Sequence, residues 1–543
     1  MERIISILLD LLLLFACPLI CTWLTLKRSL HMYQLNGYQR LSYTNYLKIN
    51  RKETWSAKRI VPTLLLAVGS APLLFGYHWW LILLATGLFV LINRPPKAKK
   101  PLVYTPRVKR MLVTTGVVLV LWNLFTYAFL ALSFVGIWGG SKLAGGLFMA
   151  AVVLFALRVP MQILLQPYLV MLYSGINSPM EKAINQHYYN EAEHILRDSP
   201  NLTVIGITGS YGKTSVKYFL DQLLSVKYNV FMTPGNYNTT LGVIRSVREG
   251  LRPTHEIFLC EMGARHVGDI AEICKLAQPD MAIITSIGPQ HLETFGSVEN
   301  IVSTKLELAD AVRGKGPVFL NFDSALIADH SYDQEIVSYG QNGKDYRVSD
   351  VRIGRSGSAF TVTAPDGSAQ EYSTRLLGSA NVQNIAGAVA VAHRMGVSLK
   401  AMVPAVRQLE GAPHRLELKQ AGDITIIDDA YNSNPAGAAV ALETLGMCRG
   451  GRVVITPGLV ELGDKELEYN KALGQKAAGN CDLLILVGSQ PRTDAIFSGA
   501  KEGGMAESAI LRADTVQEAM TMARGVRLED KMVLLLNDLT DNY

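Results

Sequence analysis

Leu202-Thr-Val-Ile-Gly-Ile-Thr208, followed at once by Gly209-Ser-Tyr-Gly-Lys-Thr-Ser215, decides how this chain is read. The first run is β-branched and apolar and reads as a buried strand. The second is a glycine-rich turn, and residues 216–225 continue with helical spacing. Strand, turn and helix in that order form the context of a phosphate-binding P-loop. Its glycines let the backbone curl so that amide N–H groups face phosphate oxygens. The helix N-terminus adds partial positive charge. Lys213 offers a full charge to the β- and γ-phosphates, and Thr214 offers a hydroxyl to Mg2+. Gly209, Ser210, Tyr211, Gly212, Lys213, Thr214 and Ser215 are therefore read as the ATP-binding loop, against the alternative of a simple turn. The first glycine of G-x-x-x-x-G-K-[ST] is missing, since Ile207 stands there.

Toward the N-terminus the character changes. The chain has 543 residues, 49% hydrophobic and only 18% charged. The imbalance comes from residues 1–177, where apolar runs occupy about 4–26, 60–75, 79–92, 111–138 and 143–157. A membrane span needs about 20 apolar residues. The first and fourth runs reach that, and Gly76-Tyr77-His78 reads as a hairpin between the second and third. Cleavage of the first run as a signal peptide is disfavoured, because it lacks an A-x-A site and more apolar runs follow. Lys27, Arg28, Arg40, Lys48, Arg51, Lys52, Lys58 and Arg59 crowd one connection. Arg94, Lys97, Lys99, Lys100, Arg107, Lys109 and Arg110 crowd another. Such excess belongs on the cytoplasmic side. The expectation is a multi-pass α-helical membrane domain of about five helices, with an outside N-terminus and the rest of the chain cytoplasmic at the plasma membrane. Asp10 and Arg158 are the ionisable residues near the spans; snorkelling or an interfacial place is expected for them, with a lipid-substrate contact as the alternative. The net charge of +6 is explained by these connections rather than by nucleic acid. The six cysteines are scattered, without CxxC or metal-ligand spacing.

Downstream of the P-loop, a series of motifs resembles the Mur ligase family. Thr208-Gly-Ser-Tyr-Gly-Lys-Thr-Ser215 resembles its TGTxGKT/S loop, which accounts for the missing glycine. Thr233-Pro-Gly-Asn-Tyr-Asn-Thr-Thr-Leu-Gly242 is similar to its substrate loop, and Glu261-Met-Gly-Ala-Arg265 to its metal-binding strand end. Ser286-Ile-Gly-Pro-Gln-His-Leu-Glu-Thr-Phe-Gly296 and Asn300-Ile-Val-Ser-Thr-Lys-Leu-Glu307 resemble the segments with a metal-binding histidine and a carbamylated lysine. Asn381-Val-Gln-Asn384 matches the second part of an H-N-x-x-N motif, with Ala380 in place of histidine. Pro413-His-Arg-Leu-Glu417 resembles the start of the C-terminal domain. Asp428-Asp-Ala-Tyr-Asn-Ser-Asn-Pro435 and Gly458-Leu-Val-Glu-Leu-Gly463 resemble the D-alanyl-D-alanine-adding, MurF-type branch. Two features depart from that branch. Membrane spans stand where a UDP-sugar-binding domain is usual, and the C-terminal Lys-Gly-Ser-Arg-type segment is absent.

The residues themselves suggest chemistry. Glu261 ends the apolar run 257–260, so its carboxylate belongs at the C-terminal edge of a parallel sheet, where ligands bind. There it would hold a metal, or else a strand-end salt bridge. His291 follows the run 281–287 at the next edge. The resemblance makes it a metal ligand, and a plain loop histidine is the alternative. Lys305 reads as an ordinary helix lysine, and only the resemblance implies a carbamate that holds Mg2+. Arg415 would clamp phosphates from a second domain, or lie on the surface. Asp428, Asn432 and Asn384 are carried to the ATP site by resemblance. Asn236, Asn238 and Thr239 are carried to the substrate side.

Strand-like and helical runs alternate past residue 178, which implies parallel sheets with helices on both faces. Residues 178–411 are expected to form a P-loop ATPase-like central domain. Residues 412–543 are expected to form a Rossmann-like C-terminal domain, with strands near 452–456, 483–487 and 532–536. The resemblance implies an ATP- and Mg2+-dependent acid–amino-acid ligase acting through an acyl phosphate. It would add an amino acid or dipeptide to a soluble or lipid-linked cell-wall precursor. Another amino-acid ligase, such as a poly-γ-glutamate-type synthetase, shares this chemistry. An ATP-driven transporter or sensor would need spans rich in polar pathway residues, and these are mostly Leu, Val, Ala and Phe.

Overall fold

The computed structural model describes residues 2–70, 79–94, 101–138, 142–354, 357–411, 414–422, 424–430, 434–488 and 491–537. Gly76-Tyr77-His78, Pro413 and Asn432 lie outside the described residues. The chain divides into two compact units, residues 1–184 and 185–539.

The first unit is helical: α1 Glu2–Leu35, α2 Arg40–Ile49, α3 Arg51–Thr54, α4 Ala57–Ser70, α5 Trp79–Ile92, α6 Pro106–Trp138, α7 Lys142–Leu164 and the start of α8 Gln166–Arg197. Five of these overlap the five apolar runs, whereas α2 and α3 lie in the basic connection and were not expected. Among the described residues, Leu13–Leu35, Pro106–Val135 and Gly145–Leu164 are long and apolar enough to cross a membrane. Helices α4 and α5 have 14 residues each, about 21 Å at 1.5 Å per residue. The boundary expected after residue 177 falls inside α8.

Packing in this unit leaves large apolar side chains on the outside and buries several polar ones among apolar clusters. Leu84, Leu91, Val113 and Leu132 are exposed, while Thr63, Thr115, Asn123, Arg158 and Gln166 are buried. Arg158 corrects the sequence reading, since it is fully buried rather than interfacial. Its Nη2 donates to Leu14 O at 2.9 Å, and the guanidinium lies 3.9 Å from the Phe155 ring centre and 4.6 Å from that of Tyr127. Cation–π contact and one carbonyl hold it inside.

The second unit holds two sheets. The first has nine strands in the order β2-β3-β1-β4-β5-β6-β7-β8-β9. They are β1 Thr203–Thr208, β2 Val230–Met232, β3 Ile257–Glu261, β4 Met281–Ile284, β5 Val318–Asn321, β6 Ile336–Gly340, β7 Tyr346–Gly354, β8 Gly357–Thr363 and β9 Ala369–Thr374. Pairing is parallel from β2 to β7 and antiparallel among β7, β8 and β9. That three-stranded extension corrects the expectation of a wholly parallel sheet. Its alternating burial on β8 is that of a sheet covered on one face.

Alternation along the central strands builds both cores. Ile205, Ile207 and Leu259 pack with α9 (Lys213–Leu224) and the helix Ser379–Arg394. Val204, Phe258 and Cys260 pack on the other face with α10 (Thr240–Gly250), α11 (Asp269–Ala277) and α13 (Val298–Ala311); the short α12 is Leu292–Phe295. At Gly206 a Cβ would come within 2.5 Å of Leu308 Cδ1, so glycine lets α13 lie close to the sheet. Chain order reverses direction on either side of β1, which puts a crevice at its C-terminal end.

The second sheet runs β10-β11-β15-β12-β13-β14. Its strands are β10 Glu417–Ala421, β11 Ile424–Asp429, β12 Arg452–Thr456, β13 Leu483–Val487, β14 Ile510–Ala513 and β15 Met532–Leu536. It is parallel except for β10. Helices Pro435–Gly446, Glu466–Ala478 and Pro491–Glu502 cover one face and Val516–Gly525 the other.

Candidate active site

The loop after β1 curls because Gly209 and Gly212 take φ of +150° and +83°. A Cβ on Gly212 would sit 2.5 Å from Asn384 Oδ1. Ser210 is pinned from the strand-end loop of β4: its N–H donates to Ser286 O at 2.7 Å and its hydroxyl to Gly288 O at 2.9 Å. The amides of Lys213, Thr214 and Ser215 open α9 ahead of its first i→i−4 bond, Val216 N–H to Gly212 O at 2.8 Å. They form the donor end of a helix of 12 residues. Lys213 Nζ folds back onto Gly209 O at 2.6 Å. Burial pulls its ammonium down to about 8; Glu261 opposes this and Arg415 adds to it.

Glu261 ends β3 fully buried. Its Oε1 accepts from Thr214 Oγ1 at 3.0 Å and from Asn238 Nδ2 at 3.1 Å. Lys217 Nζ lies 3.0 Å from Oε2 as an ion pair, and Oε2 receives no hydrogen bond. Burial alone would raise this carboxyl, but Lys217 and Lys213 outweigh it and hold it below the usual range. Lys217 is itself fully buried and also donates to Thr233 O at 2.8 Å and to Gly235 O. It thereby ties the P-loop helix to the substrate loop and to Glu261. Sequence reasoning passed over it; the signal was a lysine inside the apolar stripe Val216, Phe219, Leu220, Leu223 of α9.

His291 takes φ of +53° at the N-terminus of α12. Its Nδ1 is engaged by Glu461, which also lies 3.3 Å from Arg265. A histidine held at Nδ1 by a carboxylate keeps Nε2 for a metal, a common arrangement around metal-binding histidines. Burial lowers the His291 pKa against the pull of Glu461. Lys305 is buried on α13, and burial, then the Lys213 charge, drive its ammonium well below the ordinary lysine range. Lys213 thus feels the charges of Glu261 and Arg415, Lys305 feels that of Lys213, and His291 feels that of Lys305.

A cavity of about 530 Å³ lies between the two α/β domains, lined by Tyr211, Gly212, Asn384, Arg415, Asp429 and Asn434 among others. Asn434 reaches across, its Nδ2 3.4 Å from Ser210 O. Asp428 does not reach this cavity. It accepts from Lys419 Nζ at 2.6 Å and pairs with His414 Nδ1 at 2.7 Å. Successive strand residues point to opposite faces, so Asp429 takes the place expected of Asp428. His414, Glu417 and Asp428 cluster like metal ligands, but Lys419 neutralises them, lying 2.9 Å from Glu417 as well. On the substrate loop Asn238 holds Glu261, Thr239 caps α10 by accepting from Gly242 N–H at 3.3 Å, and Asn236 is exposed.

Residues 207–392 match the Mur ligase middle domain, and residues 414–537 match the Mur ligase, glutamate ligase domain. The UDP-N-acetylmuramoyl-tripeptide–D-alanyl-D-alanine ligase of Haemophilus influenzae is 30% identical over 57% of this chain and 68% of its own length. The chain belongs to the Mur ligase family. The UDP-N-acetylmuramoyl-tripeptide–D-alanyl-D-alanine ligase of Bacillus subtilis is 31% identical over 56% of this chain and 65% of that protein. The MurF ligase of Thermotoga maritima in complex with ADP superposes with a TM-score of 0.59 at 26% identity, covering 65% of this chain and 80% of that one. The chain spans about two thirds of the length of these curated relatives.

Mur ligases use ATP and Mg2+. Both groups fit this Mur ligase site. The buried Glu261 carboxylate, whose Oε2 is held only by the Lys217 ion pair and whose Oε1 meets the Thr214 hydroxyl, offers with that hydroxyl hard oxygen ligands of the kind Mg2+ takes. The glycine cradle, where a Cβ on Gly212 would collide, suits close approach of phosphates.

Proposed function

We propose that this Mur ligase is a MurF-type enzyme held at the plasma membrane, using ATP to add an amino acid or dipeptide to a peptidoglycan precursor. The observation that carries the proposal is the convergence of Lys213, Thr214 and Glu261 at one sheet edge, on a P-loop whose Tyr211, Gly212 and Ser215 line a cavity together with Arg415. Gly209 to Ser215 and Asn384 would hold ATP, and Thr214, Glu261 and His291 would hold Mg2+. When bound, these supply a transferable phosphoryl group, which turns a carboxylate into an acyl phosphate open to an amine, and cations that stabilise the charge. Lys213 and Arg415 are set to neutralise phosphate charge. Burial shifts Lys305 toward the free amine, the form that takes up CO2, and a carbamate there would add a further anionic ligand. Asn236, Asn238 and Thr239 border the region assigned to the precursor.

Membrane attachment is supported by the exposed apolar side chains of the helical unit and by the three long apolar helices among the described residues. Only helices that satisfy their own backbone suit that setting. The basic connections would face the cytoplasm, where the ATP site also belongs.

The test uses full-length protein in detergent with ATP, Mg2+, D-alanyl-D-alanine and a muramoyl tripeptide presented either as the soluble UDP form or linked to lipid. Phosphate release is expected only when dipeptide and precursor are both present. Release without either one would overturn the reading.

A further inference from the structure

A second pocket, shallow and open to the surface, lies in the helical unit. Its polar lining includes Arg28 and Ser29 from α1, Tyr43 and Tyr46 from α2, Glu53 from α3 and Arg59 from α4. Helices α2 and α3 interrupt the basic connection, and in the stretch 27–59 the sole acidic residue is Glu53. Glu53 is taken by Arg28. Arg59 is only 8% exposed. Among the described residues its one hydrogen bond is Nη1 to Thr54 O at 3.2 Å. Arg59 is therefore a buried guanidinium facing a pocket, with no carboxylate in ion-pair contact among the described residues; Glu53, already paired with Arg28, acts on it only at a distance. Burying a charge in that way is costly unless an anion completes it.

We propose that this cavity binds a phosphate-bearing anion, with Arg59 as its main ligand and Arg28 as the second. A guanidinium presents a planar fork that matches two phosphate oxygens, which a single carbonyl contact does not use. Tyr43 and Tyr46, stacked with ring centres 6.0 Å apart, give the cavity a rigid wall. The surrounding Lys and Arg residues draw anions toward it. The phosphate would come from a lipid headgroup or from a soluble phosphate compound. The lipid source rests on the membrane reading above, whereas phosphate binding itself does not.

The experiment uses the full-length protein and its Arg59→Gln and Arg59→Lys variants. Each is reconstituted in phosphatidylcholine nanodiscs with and without phosphatidic acid, and retained lipid is read by native mass spectrometry. Inorganic phosphate binding is read in parallel by thermal shift. ADP binding at the Lys213 loop reports, separately, that each variant is folded. Enrichment of phosphatidic acid on wild type, reduced roughly tenfold or more in Arg59→Gln and partly kept in Arg59→Lys, is expected. A thermal shift with inorganic phosphate, lost in Arg59→Gln but without lipid enrichment, would assign the site to a soluble phosphate compound. Should Arg59→Gln fail to fold, Arg28→Gln is read in its place. Equal retention of phosphatidic acid and equal phosphate response in wild type and variants would overturn the proposal, whatever the ligase assay gives.

Discussion

Replacing Lys217 by methionine keeps the length of the side chain and removes one charge from a pair whose side chains are 0% and 1% exposed. Removing one partner of a buried pair costs about 3–5 kcal/mol, because the other charge is left uncompensated. Glu261 keeps its hydrogen bonds from Thr214 and Asn238 and the nearby Lys213 charge, so the expected loss is at the lower end, about 3 kcal/mol. Urea unfolding of the full-length protein in detergent, followed by a fluorophore near β3, measures it. Lys217→Met, Glu261→Gln and the double variant make a cycle. The double variant should lose clearly less than the sum of the single losses, since removing both partners leaves no orphan charge. Added Mg2+ should recover part of the loss in Lys217→Met, by supplying a cation to Glu261, and none in the double variant. Losses that add to within about 0.5 kcal/mol would refute the coupling.

Gly212→Ala puts a Cβ on a residue at positive φ and against Asn384; the backbone cost alone is about 1–2 kcal/mol, so calorimetry should find ADP bound at least tenfold more weakly. Glu461→Ala frees Nδ1 of His291, and the Mg2+ concentration needed for half-maximal activity should rise about 10–100-fold, with Glu461→Gln milder. The bidentate Arg452–Asp482 pair gives a pH test. Hydrogen bonds from Arg452 hold the Asp482 carboxyl below its usual range. A depressed folded-state pKa means the pair stabilises above the unfolded value of about 3.9 and loses that contribution as pH falls through the folded value. Thermal melts of Asp482→Asn should therefore fall less steeply below about pH 4 than those of wild type.

The P-loop strand, turn and helix were legible because their signals are local: β-branched residues, two glycines and a lysine within a few positions. The strands at 452–456, 483–487 and 532–536 appear where the apolar runs put them. The antiparallel β7–β9 extension was not, since its direction depends on pairing between distant residues. Side-chain parity explains Asp428 and Asp429: two adjacent acids at a strand end look alike in sequence and face opposite ways once paired. Arg158, Lys217 and Glu461 share another cause. Each owes its role to a partner far along the chain: Leu14 O, Glu261 and His291 respectively.

Asn434 and Glu461 both reach from the C-terminal domain to groups of the middle domain, Ser210 and His291. The reaction chamber is therefore finished only when the two lobes shut, and spent nucleotide leaves only after both contacts part. Turnover in such a design is paced by a hinge as much as by bond making. Selection on speed would then act on the Asn434 and Glu461 contacts, whose strength sets how often the chamber opens, as well as on the groups that hold the phosphates.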